Sequence, residues 1–180
     1  MKRLSGPSFG AFLLAGVSFG ATLEKLTLDE MIRKSTEIVR GRVISTSPDR
    51  RGAILYTKAR VQVYERMKGA PSQTVDVMVP GGVMNGMRQS IAGAPELSSG
   101  AEYVFFLWTG RNGITQIIGL SQGLLEVKVT VSGEATVNRE PIGETLLDAK
   151  THRPVADEPI QTTVARLRNR IRSILVAAKE

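Results

Sequence analysis

The sequence predicts a mainly β, antiparallel fold with a short helix near its N-terminus and an amphipathic helix at its C-terminus. Three observations predict it. Alternating apolar and polar residues recur along the chain, the longest run spanning Ala53 to Arg66. Turn-forming stretches such as Lys68-Gly69-Ala70-Pro71-Ser72, Arg111-Asn112-Gly113 and Ser132-Gly133 separate the runs. Helical spacing of apolar residues appears only near the two ends, at Leu28–Thr36 and Ile160–Ala178. With 180 residues the chain is long enough for one domain with a substantial core.

Met1-Lys2-Arg3 is a positive start, Ala11–Val17 a short apolar core, and Ser18-Phe19-Gly20 a small-residue exit. These are the three parts of a secretory signal peptide, so Met1–Gly20 is expected to be removed before Ala21, leaving 21–180 as a single domain. A membrane-spanning helix needs about 20 apolar residues, more than this run offers. No second apolar run follows. The mature chain is therefore expected to be exported, secreted or periplasmic, without stable membrane insertion. Losing Lys2 and Arg3 lowers the formal charge from +7 to +5. That charge is spread thinly and no groove-reading helix or stacking motif accompanies it, so no nucleic-acid partner is expected. The chain has no cysteine, which excludes disulfides, thiolate metal sites, a cysteine nucleophile and lipidation of an N-terminal cysteine.

Each element follows in order. Thr27 with Glu30 forms a capping box, Leu26 and Met31 are spaced for a hydrophobic staple, and Asp29 and Glu30 favour the positive helix end, so a helix is expected from Leu28 to Thr36. Glu37–Ser45 reads as a strand ended by the turn chemistry of Pro48–Gly52. From Ala53 to Arg66, Leu55, Thr57, Ala59, Val61 and Val63 face one way and the polar residues between them the other, giving a long strand with one wet face. Val75, Val77 and Val79 repeat the pattern. Gly81–Pro95 has no periodicity and reads as a long loop. Tyr103–Trp108 is apolar on both faces and must be covered twice. Arg111-Asn112-Gly113 turns it back into Ile114–Ile118. Leu125, Val127, Val129 and Val131 alternate, and Ser132-Gly133 leads into Glu134–Arg139. Pro141–Pro159 reads as an irregular connection. Ile160–Ala178 closes the chain as a helix whose stripe is Val164, Leu167, Ile171, Ile174, Leu175 and Ala178, flanked by arginines.

Three stretches carry a resemblance: Ser35–Val43, Val61–Gly69 with Met67-Lys68-Gly69 at its end, and Gly100–Leu107 with Gly100-Ala101-Glu102-Tyr103 at its start. Together they resemble the netrin-module and metalloproteinase-inhibitor-like branch of the OB-fold, in the form of an exported bacterial protein of unknown function. The resemblance implies an antiparallel, OB-like, partly open Greek-key barrel. Inhibitors of that branch act through an N-terminal cysteine that this chain lacks, so inhibition by that route does not carry over.

No catalytic constellation stands out. His152 is the only histidine, so no histidine-pair metal motif exists and no second histidine base is available. It is expected on an exposed loop. Gly119-Leu120-Ser121-Gln122-Gly123 is expected to be a bulge or turn rather than a nucleophile. Asp76, Glu102 and Glu126 are expected as exposed strand carboxylates. No enzyme activity, cofactor or metal is expected.

The Gly81–Pro95 stretch is the most informative, because loops of that length are often functional. Met84, Asn85, Met87 and Arg88 are its candidate ligand- or partner-binding residues: methionines for an adaptable surface, Arg88 as a polar anchor. The competing reading buries the methionines as a core plug. The leading expectation is an exported, non-enzymatic binding or interaction module with a protein or peptide partner. The alternatives are accessory regulation of a secreted protease by a cysteine-independent route, and peripheral membrane attachment through the terminal helix.

Overall fold

The capping box read from the sequence forms. In the computed structural model, which describes residues 22–178, Thr27 caps α1 (Leu28–Lys34), a helix that follows the short strand β1 (Thr22–Glu24). The Thr27 hydroxyl accepts from the Glu30 amide at 3.2 Å and the Glu30 carboxylate accepts from the Thr27 amide at 2.9 Å. The Thr27 amide, and the Thr27 hydroxyl donating to the same carboxylate at 2.7 Å, hold the Glu30 pKa below the usual carboxylate range. At the other end, Lys68 Nζ donates to the carbonyls of Ile32 and Arg33 at 2.8 and 3.0 Å, satisfying acceptors that the helix leaves open. The expected signal peptide, Met1–Gly20, lies outside the described residues.

After α1 come β2 (Glu37–Arg51), β3 (Ile54–Lys68) and β4 (Thr74–Pro80), then a small hairpin, β5 (Gly82–Met84) and β6 (Met87–Gln89). Next are β7 (Glu102–Thr109), β8 (Thr115–Ile117), a 3-10 turn at Leu120–Gly123, β9 (Leu124–Val129) and β10 (Ala135–Arg139). Three short strands, β11 (Thr145–Leu147), β12 (Pro154–Val155) and β13 (Ile160–Thr163), lead into α2 (Val164–Ala177). The main sheet has the order β13-β10-β9-β7-β2-β3-β4, with every pair antiparallel. β7 returns beside β2, so β7-β2-β3-β4 stands in Greek-key order. β8 pairs with the same edge of β7 as β9 does. β4 comes near β8 without a ladder joining them, so the sheet curls toward itself and stays open there. β1, β11 and β12 make a separate three-stranded sheet.

Strand alternation in β7 sorts two cores. Val104 and Phe106 face α1 and α2, packing with Ile38, Leu125, Val137, Leu167 and Ile171. Tyr103, Phe105 and Leu107 face the concave side, packing with Val39, Val61, Val77, Val79 and Ile117. Tyr103 to Leu107 is thus covered on both faces, whereas Trp108, expected to be covered with them, is 47% exposed. β2 bends through register shifts at Ile38/Val39, Arg40/Gly41 and Val43/Ser45. Gly41 sits where a Cβ would collide with the Gln62 carbonyl and crowd the Val61 side chain, so no larger residue fits the bend.

Four sequence expectations need correction. Gly81–Pro95 contains the β5–β6 hairpin. β2 runs on to Arg51 and the turn is the two residues Gly52-Ala53, because Pro48 lies beyond Arg42, where β2 no longer pairs with β7 and needs no amide on that edge. Pro141–Pro159 carries β11 and β12. The terminal helix starts at Val164 rather than Ile160, since β13 pairs with β10 and Thr163 then caps the helix by accepting from the Arg166 amide at 3.2 Å.

Charges fix the periphery. Arg170 binds Asp29 of α1 at 2.8 Å, and Arg168 binds Glu65 of β3 with one contact of 2.9 Å. Where β10 ends, Arg139 and Asp157 form a buried bidentate pair, with contacts of 2.6 and 2.9 Å and side chains only 8% and 6% exposed. Burial acts to raise the Asp157 pKa, but Arg139 and the amides of Ile142 and Glu158 outweigh it and hold the group below its ordinary value. An acid with a depressed folded pKa stabilises above its unfolded value, and that stability fades as pH falls through the folded pKa. Asp157→Ala is expected to cost about 3–5 kcal/mol at neutral pH by leaving Arg139 buried and unpaired. Urea unfolding at pH 7 and across the acid range checks both parts. The variant should lose less stability on acidification than the wild type.

Candidate functional site

The corrected segment builds the site. As β4 ends, the Gly81 amide donates to the Leu55 carbonyl at 2.8 Å, and the Thr57 hydroxyl donates to the Gly81 carbonyl at 3.1 Å. The chain then enters β5, pairing Gly82 with Gln89, Val83 with Arg88 and Met84 with Met87. Asn85 and Gly86, at φ +50° and +78°, form the two-residue turn. Gln89 closes the arrangement, its side-chain oxygen accepting from the Leu55 amide at 2.7 Å. Three hydrogen bonds therefore fasten the hairpin to β3.

Beyond β6 the chain crosses the open side of the concave core, where Ala94 and Leu97 pack. A cleft of ≈ 370 Å³ lies between this segment and the hairpin. Thr57 and Val79 line it from the sheet, Val83 and Arg88 from the hairpin, and Ile91, Glu96 and Leu97 from the crossing segment. Arg88 and Glu96 are exposed, and neither forms an ion pair within 4.0 Å among the described residues. Val83 and Met87 are about half exposed, at 53% and 52%.

The structure divides the four residues picked from the sequence. Arg88 lines the cleft. Met87 is exposed beside the turn, one position along and so on the other hairpin face. Met84 is half-buried, and Asn85 serves the turn itself. The plug reading is not what forms, since neither methionine is buried. Val83, Ile91, Glu96 and Leu97 were not singled out from the sequence. The signal that leads to Val83 is Asn85-Gly86, the strongest short-range hairpin pair, flanked by Val83-Met84 and Met87, whereas no local signal leads to Ile91, Glu96 or Leu97.

The other sequence candidates have local roles. His152 is exposed on a turn, with φ +54°, and its amide donates to the Asp148 carbonyl at 2.9 Å. Ser121 lies in the 3-10 turn. Its neighbour Gln122 is buried and clamps the N-terminal segment, accepting from the Leu26 amide at 2.8 Å and donating to the Glu24 carbonyl at 3.0 Å. The three strand carboxylates each meet a cation: Asp76 with Arg60 at 2.8 Å, Glu102 with Arg40 at 2.6 Å, Glu126 with Lys128 at 2.9 Å. The Arg60 hydrogen bonds hold the Asp76 pKa below its usual range. Among the described residues no three His, Asp or Glu side chains gather where they could hold a metal ion.

The motifs at Met67-Lys68-Gly69 and Gly41 are likewise structural. Lys68 caps α1, and Gly69 passes close to Glu37, where a Cβ would lie 2.8 Å from its Cγ. The stripe of α2 packs inward, with Val164, Leu167 and Ile171 buried and Ile174 and Leu175 half-buried. No helix among the described residues is long and apolar enough to cross a membrane. Comparison with protein-family models, curated proteins and solved structures finds no match to this chain.

Gln89→Ala is expected to leave the Leu55 amide without its acceptor and to cost about 1–3 kcal/mol locally. Hydrogen exchange should show faster exchange at Leu55 with little change in the amides of β7. Equal exchange at Leu55 would mean that Gln89 does not anchor the hairpin.

Proposed function

We propose that this chain is an exported, non-enzymatic binding module on an OB-like, partly open barrel, and that the β5–β6 hairpin with its cleft receives a protein or peptide partner. One observation carries the reading: a hairpin held to β3 by three hydrogen bonds presents Val83 and Met87 to solvent beside a cleft lined by Val79, Ile91 and Leu97. Val83, on the cleft face of the hairpin, adds an exposed apolar side chain to that lining, and a concave site with apolar residues and a few polar groups is the usual form of a binding site. Export rests on the N-terminal segment, and the mature chain is expected to begin at Ala21. Intact-mass measurement on the exported protein checks that start.

The interaction is tested by cross-linking in the exported fraction of the producing cell, comparing wild type with Val83→Ser/Met87→Ser. Circular dichroism first establishes that the variant folds. Loss of a discrete cross-linked partner by the folded variant is the expected result. An unchanged set of cross-links would remove the hairpin from the binding surface.

A further inference from the structure

The pair Asn-Gly occurs twice in the sequence, at Asn85-Gly86 and Asn112-Gly113. In each, glycine places no side chain beside its own amide nitrogen, so that nitrogen can approach the asparagine side-chain carbonyl carbon. The surroundings are alike too. All four residues are exposed, and a Cβ built on either glycine would meet nothing within 4 Å. The hydrogen bonds differ. In the β7–β8 turn the Gly113 amide donates to the Gly110 carbonyl at 3.0 Å. There Asn112 Oδ1 accepts from the Ile114 amide at 3.1 Å, an Asx turn that fixes the side chain. Both reacting groups of that pair are engaged. In the β5–β6 turn, among the described residues, the Gly86 amide has no acceptor and the Asn85 side chain no partner.

We infer that Asn85 is a site of spontaneous deamidation in the folded protein, and that Asn112, in the same dipeptide, is protected by its turn. The Gly86 nitrogen, having lost its proton to base, attacks Asn85 Cγ. The N–Cγ bond forms, the Cγ–Nδ2 bond breaks, and Nδ2 takes up a proton and leaves as ammonia. Water then opens the cyclic imide at either carbonyl, leaving aspartate or isoaspartate, with nothing oxidised or reduced. At Asn112 the same attack must first break the bonds to Gly110 and Ile114. Either product adds a negative charge at the hairpin tip. Isoaspartate also lengthens the main chain by a methylene between Met84 and Met87, the pair that closes the hairpin. The modification is independent of what the hairpin binds.

The test holds the folded protein at mildly alkaline pH and physiological temperature, beside a sample unfolded in guanidinium. Samples taken over weeks are digested at acidic pH and mapped by mass spectrometry for conversion at each asparagine. In guanidinium the two sites are expected to react at similar rates. In the folded protein Asn85 is expected to convert about tenfold faster than Asn112, the scale of two net hydrogen bonds. A folded ratio no larger than the unfolded one would overturn the inference, because the turns would then not set the difference. So would an Asn85 that stays intact in the folded protein while it reacts in guanidinium.

Discussion

Strand β7 is apolar on both faces, and the rest of the architecture answers that constraint. A strand of this kind cannot lie on a one-layer sheet with a wet side, because Tyr103 to Leu107 would leave one set of side chains in water. One side is covered by two helices brought from opposite ends of the chain. The other is covered by the curl of the sheet itself, which carries β4 toward β8 around Phe105. The bulged path of β2 allows that curl, and Gly41 allows the tightest part of the bend. The crossing segment with Ala94 and Leu97 then covers the side where the curl remains open.

The basic composition has a local explanation in much of the chain. The arginines of α2 look, in sequence, like the polar flanks of a surface-seeking helix. In the fold, Arg168 and Arg170 face Glu65 and Asp29 and orient the helix on the sheet, while its apolar stripe faces inward. Lys68 serves a helix end and Arg139 a buried carboxylate. At these places long cationic side chains tie elements together.

Legibility in the sequence followed interaction range. The Thr27–Glu30 capping box, the alternation of β3 from Ala59 to Tyr64 and the two-faced character of β7 are written in residues a few positions apart and form as read, although Tyr56, expected on the wet face of β3, is buried. Elements fixed by distant partners were not readable. Ile160–Thr163 continues the helical stripe by spacing, yet its backbone finds β10 and becomes a strand. Pro48 carries turn chemistry, yet on an unpaired strand edge it breaks nothing. β11 gains its definition from β1, more than a hundred residues away, and its three residues have no pattern of their own. At the cleft, Arg88 was found from composition and loop length. Glu96, Val79 and Leu97 join it only through the curl of the sheet, which no local spacing encodes.

The fastening of the hairpin to β3 has a kinetic consequence. A free loop of this length would have to be ordered at each encounter, and that ordering would reduce both affinity and the fraction of productive collisions. Here the Leu55 amide, the Leu55 carbonyl and the Thr57 hydroxyl have already set the backbone of the wall. The entropy of shaping it is spent during folding rather than at encounter. On the proposed binding reading, a ligand would be captured there at a rate set mainly by diffusion and orientation, and differences between ligands would lie in how long each one stays.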